Sequence, residues 1–318
     1  MNRPLSHTSN TVKLYKHLDC LQKLQLGIVS PIMVHMSPTH KCQMDCSFCC
    51  FKNRGDKTLD MPFEVLKEGI HQFYELGTRA VELTGGGEPT LYPYINETIE
   101  FLHGELGLHM GINTNVASPQ YVEHWEYFDW VRVSFNILDD FDSINIDSIC
   151  KSGAYVSGCY IWHDLSTIET FKRVVKFADE YKIVCRVAPD CIKSAQEIDA
   201  SVERLRGIIE IVGKSDYIFL SDFNIDTYRH NHKCFLHLIK PFFYTDGYIY
   251  PCPSTELAYE HGAKPNEDYR VCRYDEILNF YKKDALYIPE RTCSYCKYAK
   301  QQIILEEVLT ETTFNEFA

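Results

Sequence analysis

The chain has 318 residues, 45% hydrophobic and 24% charged, ordinary proportions for a globular protein. No apolar run approaches the roughly 20 residues that span a bilayer, and Met1-Asn-Arg-Pro-Leu-Ser-His lacks the basic-then-apolar order of a signal peptide, so a cytoplasmic location without membrane contact is expected. The formal charge of −12 disfavours a large nucleic-acid substrate, which needs Lys and Arg against phosphates, and 14 cysteines in a chain long enough to bury a large core point to reduced thiols and metal ligation, not disulfides.

In chain order, Thr11–Leu26 reads as an amphipathic helix through Leu14, Leu18, Leu21 and Leu24, and Ile32–Met36 as the first strand. Then come Cys42, Cys46 and Cys49, a Cys-x3-Cys-x2-Cys run that gathers three thiols within eight residues. Three local thiolates leave one iron of a four-iron cluster open to a small chelating molecule. A zinc knuckle completed by Cys50 is the competing reading, although four thiolates in nine residues leave the chain little freedom to build a tetrahedron. Phe63–Leu76 follows as a helix with Val65, Leu66, Ile70, Phe73 and Leu76 at helical spacing, and Ala80–Leu83 as a strand running into Gly85-Gly86-Gly87-Glu88-Pro89-Thr90. Three glycines remove side chains where backbone must approach something closely.

The cysteine run and the glycine run, one βα unit apart, together resemble the signature of the radical S-adenosylmethionine (SAM) superfamily. Phe48 matches the aromatic residue that usually precedes the third cysteine. The resemblance implies a 4Fe-4S cluster on Cys42, Cys46 and Cys49, with SAM on the open iron. It also implies that Gly85, Gly86, Gly87 and Glu88 hold the methionyl amino group, and that a reducing partner such as flavodoxin or ferredoxin supplies the electron. That electron cleaves SAM to a 5′-deoxyadenosyl radical, which takes a hydrogen atom from substrate. The implied fold is α/β, a partial six-stranded β/α barrel over roughly residues 28–222.

The alternation of strand and helix patterns independently points to a parallel α/β architecture. Further strands are expected at His109–Asn113, Trp130–Phe135, Tyr155–Ile161, Ile183–Val187 and Tyr217–Leu220, and a helix at Ile168–Tyr181. By the same resemblance, Asn115 and Ser134 fall at strand ends that contact SAM, although Val116 replaces the usual glycine and is expected to divert the loop. Turn chemistry is the plain alternative for Thr114 and Asn115. Arg186 is placed to reach the SAM carboxylate by a charge-assisted bond, or forms an ordinary barrel ion pair. Catalytic residues are not fixed by any motif. His163, Asp164 and Asp190 at strand ends are candidate bases, and Cys159, Cys185 and Cys191 candidate hydrogen donors, with Asp190 and Cys159 placed first.

Past Asn224 the alternation stops, and Phe242–Cys252 reads as a β-hairpin turning at Asp246-Gly247. Cys234-x12-Gly247-x4-Cys252, then Cys293 and Cys296, is similar to the SPASM and Twitch extensions of the same superfamily. The shorter Twitch form fits better and implies a second, fully ligated 4Fe-4S cluster on Cys234, Cys252, Cys293 and Cys296. A zinc ribbon is the rival, and Cys272 is either an alternative ligand or a buried thiol. The six tyrosines Tyr244, Tyr248, Tyr250, Tyr259, Tyr269 and Tyr274 read as the half-buried packing of short strands, with the lining of a substrate pocket as the alternative, and Ile303–Phe317 as a closing helix and frayed end. The expected organisation is an N-terminal helical extension (1–27), a barrel (28–225) and an auxiliary cluster domain (226–318).

A closed second cluster suits electron transfer, which favours net oxidation of a small-molecule or peptide substrate. Redox-neutral epimerisation or isomerisation, ribosomal-peptide modification and a non-enzymatic metal-stapled module are the alternatives. The roughly thirty residues before the barrel leave no room for a peptide-recognition domain, which counts against the peptide.

Overall fold

The structure is a computed structural model. It describes residues 11–221, 230–232, 234–253, 269–283, 291–293 and 298–310. The chain divides into two compact units, one of residues 36–61 and 81–225, the other of residues 1–35, 62–80 and 226–318.

The first unit is built on strands in the spatial order β2 (Ala80–Leu83), β3 (His109–Thr114), β4 (Trp130–Ser134), β5 (Tyr155–Trp162), β6 (Cys185–Pro189) and β7 (Ile218–Leu220), with Ala80 itself belonging to the other unit. From β3 to β7 every pairing is parallel. Strand residues alternate between two faces. Val131, Val133, Tyr160, Trp162 and Val187 are buried on one face, where Phe171 of the helix Ile168–Tyr181 sits 6.0 Å from the rings of both Tyr160 and Trp162. The opposite face carries Arg132, Ser134, Ser157, Cys159 and Arg186, an unusually polar set for a parallel sheet. This is the face on which a ligand finds partners.

The helix Ile168–Tyr181 starts at the expected residue through a capping box, with Thr167 accepting from the Thr170 amide at 3.1 Å. It ends on left-handed Lys182 (φ 54°), with the Ile183 amide bonded to the Ala178 carbonyl at 2.9 Å. Ile183 is thereby consumed in closing the helix, so β6 begins at Cys185 instead of Ile183 and runs on to Pro189.

In the second unit the strand order is β11 (Cys272–Arg273), β10 (Tyr248–Tyr250), β9 (Phe242–Phe243) and β1 (Met33–Met36), of which Met36 lies across the unit boundary. The expected hairpin is β9 with β10, antiparallel, turning through Gly247 at φ 81°. The helix Phe63–Glu75 buries Leu66, Ile70 and Phe73, and its Gly69 lies so near the Phe243 ring that an added Cβ would come within 2.5 Å of it. Its Gln72 accepts from the Leu278 amide at 2.9 Å, satisfying the start of the helix Ile277–Lys283. Thr11–Leu26 is a 3-10 turn over Thr11–His17 followed by an α-helix over Leu18–Gln25, and the closing helix runs over Ala299–Leu309, four residues earlier than expected at its start. Residues 311–318, the rest of the expected tail, lie outside the described residues. A separate two-stranded pair sets Cys293 opposite His230.

Candidate cluster and cofactor site

The cysteine loop is closed at its neck by an antiparallel bridge between Thr39 and Asp60. The His40 amide bonds to the Leu59 carbonyl at 2.8 Å, the Met61 amide to the Pro38 carbonyl at 2.8 Å, and the Thr39 hydroxyl to Asp60 at 2.6 Å. Lys41 pairs with the same carboxylate. Inside the neck the chain turns repeatedly, with the Cys49 amide bonded to the Cys46 carbonyl and the Lys52 amide to the Cys49 carbonyl, both at 3.1 Å.

All three thiols of the run are free and half-buried. Burial pushes each of them up, Cys46 to about 12 with the thiolate charges of Cys49 and Cys42 adding to the push. A coordinated cation reverses this balance, since a coordinating thiol is deprotonated outright. Among the described residues no three His, Cys, Asp or Glu side chains already converge on a metal-binding point. The donor set itself, soft sulfur from one short loop, fits an iron–sulfur cluster.

The glycine run is pressed against this loop. A Cβ on Gly87 would fall 2.2 Å from the Lys41 carbonyl oxygen, on Gly86 2.1 Å from Ser37 Oγ, and on Gly85 2.4 Å from the Phe51 ring. Gly85 and Gly86 also take positive φ, 34° and 86°. The glycines thus serve close packing of two loops, and the Glu88 amide completes the join by bonding to the Lys41 carbonyl at 2.7 Å. The Glu88 carboxylate is buried and accepts from the Thr90 amide (3.1 Å), the Thr114 hydroxyl (2.7 Å) and the Asn115 amide (2.7 Å). Burial raises its pKa, and these bonds oppose the rise. Glu88 therefore ties the end of β2 to the end of β3.

Asn115 donates from Nδ2 to Cys42 Sγ at 3.7 Å and accepts from the Ala117 amide at 2.9 Å. Val116, expected to divert the loop, instead takes the left-handed conformation (φ 52°) that a glycine adopts without strain. Ser134 pairs in register with Cys159, and Cys159 with Arg186, whose Nη2 donates to Cys159 Sγ at 3.5 Å. Thr114 pairs with Val133, so Asn115 falls at the level of Ser134. The residues matched for SAM contact, Asn115, Ser134 and Arg186, therefore lie in one row across the sheet with Cys159 among them.

Phe48 lies 4.5 Å from the His163 ring, tilted by 36°. His163 Nε2 is bonded to Asp139 at 3.0 Å, and the same carboxylate accepts from Tyr160 (2.7 Å) and Asn136 (3.1 Å). His163 is thus engaged in a network. Asp164 is exposed and paired with Lys193 at 2.6 Å, which lowers its pKa. Asp190 is buried, accepts from the Ile192 amide at 3.0 Å, and has its pKa raised by that burial. Cys185 is fully buried.

Sequence reading missed Asp139, the chain of bonds from Arg132 to Asn113 (3.3 Å) and from Asn113 to Glu82 (2.7 Å), and Arg54 beneath the cysteine loop. None belongs to a local motif. In the other unit Cys234 and Cys252 are half-buried, and Cys272 is buried with its thiol pushed well up by desolvation. The Cys293 side chain and all of Cys296 lie outside the described residues.

Residues 36–184 match the model of the radical SAM superfamily. Over 111 residues the chain is 32% identical to an S-adenosylmethionine-dependent nucleotide dehydratase of Flammeovirga pacifica, a match spanning 33% of this chain and about a third (36%) of that relative. The fold is similar to that of Streptococcus suis SuiB bound to its precursor peptide SuiA, with TM-score 0.57 at 17% identity over 90% of this chain and 73% of that one. SuiB bound to S-adenosylmethionine gives TM-score 0.55 at 16% identity over 88% and 73%. The cysteine loop, the glycine run beside it and the strands β2 to β5 all fall within residues 36–184, the stretch that is similar to the radical SAM superfamily.

Proposed function

We propose that this chain is a radical SAM enzyme that holds a 4Fe-4S cluster on Cys42, Cys46 and Cys49 and binds SAM over the strand ends beside them. When bound, the cluster and SAM supply an electron and a carbon-centred radical able to take a hydrogen atom from a substrate C–H bond. The observation that carries the reading is the single row of Asn115, Ser134 and Arg186, joined to the cysteine loop by the Asn115 bond to Cys42. In that row Ser134 offers a hydroxyl and Arg186 a guanidinium suited to a carboxylate. Gly85 to Glu88 supply backbone for the methionyl amine, and Phe48, against His163, an aromatic face.

The substrate is a small molecule or peptide, and the outcome a net oxidation in which the surplus electron leaves through a second cluster on Cys234, Cys252, Cys293 and Cys296. The spacing of those four cysteines supports it. A flavodoxin or ferredoxin supplies the first electron in the cytoplasm. Among the described residues, no helix is long and apolar enough to cross a membrane. Elimination of water is the second reading, favoured by the 111-residue match to a relative named as a nucleotide dehydratase.

The test is anaerobic reconstitution with iron and sulfide, then dithionite and SAM, scoring 5′-deoxyadenosine. Wild type forms it and a Cys42/Cys46/Cys49→Ala variant does not; equal yields from both sink the reading. With a substrate in hand, a product two hydrogens lighter supports oxidation, and one lighter by water supports elimination.

A further inference from the structure

Arg54 follows the third cysteine by five residues and is buried, with 6% of its surface exposed. Its Nε donates to the His40 carbonyl at 2.9 Å and its Nη1 to the Phe51 carbonyl at 2.9 Å, and its amide also bonds to the Phe51 carbonyl at 3.1 Å. His40 and Phe51 bracket the cysteine run on its two sides. Both also pack against the glycine run, His40 against Gly87 and Phe51 against Gly85. One guanidinium fork therefore closes the loop on itself at the level where the loop meets the strand ends.

The second observation is one of charge. Both of those acceptors are neutral carbonyls, and among the described residues no carboxylate forms an ion pair with Arg54. Arginine stays protonated at any working pH, and a buried cation without a counter-charge is strongly disfavoured. Cys42 and Cys49 of the loop feel this charge, and so does the exposed carboxylate of Asp45, which forms no ion pair with Arg54. Three thiolates around an oxidised four-iron cluster carry a net negative charge that grows on reduction. Such a cluster adds a counter-charge to that of the exposed Asp45 carboxylate.

We propose that Arg54 is a positioning residue for the cluster, clamping the two ends of the cysteine loop through its fork and raising the reduction potential of the cluster through its charge. This rests on reading Cys42, Cys46 and Cys49 as cluster ligands. The two parts separate by substitution. Arg54→Gln removes both, whereas Arg54→Lys keeps a charge but cannot bond both carbonyls with one rigid fork.

The experiment compares reconstituted wild type, Arg54→Gln and Arg54→Lys by iron and sulfide content, the electron paramagnetic resonance midpoint titration of the reduced cluster, and the rate of iron loss to a chelator. Arg54→Gln is expected to give a more negative midpoint and several-fold faster iron loss. Arg54→Lys is expected to lose iron faster with a midpoint near wild type. A wild type that takes up no reducible cluster overturns both the cluster reading and this proposal. A wild-type cluster whose midpoint is unmoved by Arg54→Gln overturns the proposal alone. Should Arg54→Gln fail to fold, Arg54→Lys decides the clamp, and wild-type iron retention in it overturns the proposal.

Discussion

Glu88 makes three bonds with two oxygens, and that arithmetic sets what a substitution does. The Thr90 amide and Thr114 hydroxyl converge on Oε1 while the Asn115 amide takes Oε2. In Glu88→Gln one of those acceptors becomes an NH2 facing a donor, leaving a buried amide or hydroxyl unsatisfied at about 1–3 kcal/mol. Urea unfolding at neutral pH should show that loss, and an unchanged midpoint would mean the carboxylate does not join the two strand ends. The pH dependence has a definite sign. The folded carboxyl titrates above its ordinary range because it is buried, so the native state binds more protons than the unfolded chain between the two values. This group's contribution is therefore fully present below the ordinary carboxylate pKa and declines as pH rises through the folded one, and Glu88→Gln should flatten that decline. Gly87 is a purely steric case: its φ is ordinary, yet a Cβ meets the Lys41 carbonyl at 2.2 Å. Gly87→Ala is expected to destabilise by about 1–3 kcal/mol as overpacking does, with cluster uptake reduced because the cysteine loop must move aside. Full iron content in that variant would show that the two loops need not touch.

Elements explain which parts of the site were legible in the sequence. The three cysteines and three glycines were readable because each set is local, and the strand pattern because alternating burial leaves a period in the sequence. Boundaries moved where a cap used residues that also suit a strand, as when Ile183 closed the preceding helix. Arg54, Asp139 and the Glu82–Asn113–Arg132 chain were not readable, because each has a partner 14 to 31 residues away that it meets only once the loop closes or neighbouring strands align. Asp139 shows what such a residue does: from the 3-10 turn that follows β4 it holds Tyr160 and His163 of β5 and its following loop, and through His163 it backs Phe48. Asp139→Ala leaves His163 Nε2 without its acceptor, at about 1–3 kcal/mol, and removes one partner of the Tyr160 hydroxyl, which keeps Ser166 and Thr170. Thermal melts should register that loss, and a SAM titration should show weakened binding if Phe48 forms part of the cofactor surface. A melt as in wild type would remove the network from the account.

At the scale of the whole chain, the fourteen cysteines divide by chemistry, and the division is measurable. The Cys42, Cys46 and Cys49 loop lies in one compact unit and Cys234, Cys252, Cys293 and Cys296 in the other, so removing one set leaves the other's thiols in place. If both sets hold four-iron clusters, the Cys42/Cys46/Cys49→Ala variant should retain about half of the iron of wild type, in proportion to one four-iron cluster of two. Its resonance signal should no longer respond to SAM, because no iron is left open. Cys252→Ala should do the reverse, losing iron while keeping the SAM response. A zinc ribbon predicts a different balance: the triple variant would lose all iron and keep one zinc. Metal analysis of the two variants therefore decides between an electron-transfer centre and a structural staple. The outcome carries over to the reaction, because net oxidation needs somewhere for the second electron to go. If zinc fills the second site, that route is closed, and a redox-neutral or eliminating outcome becomes the reading that the chemistry allows.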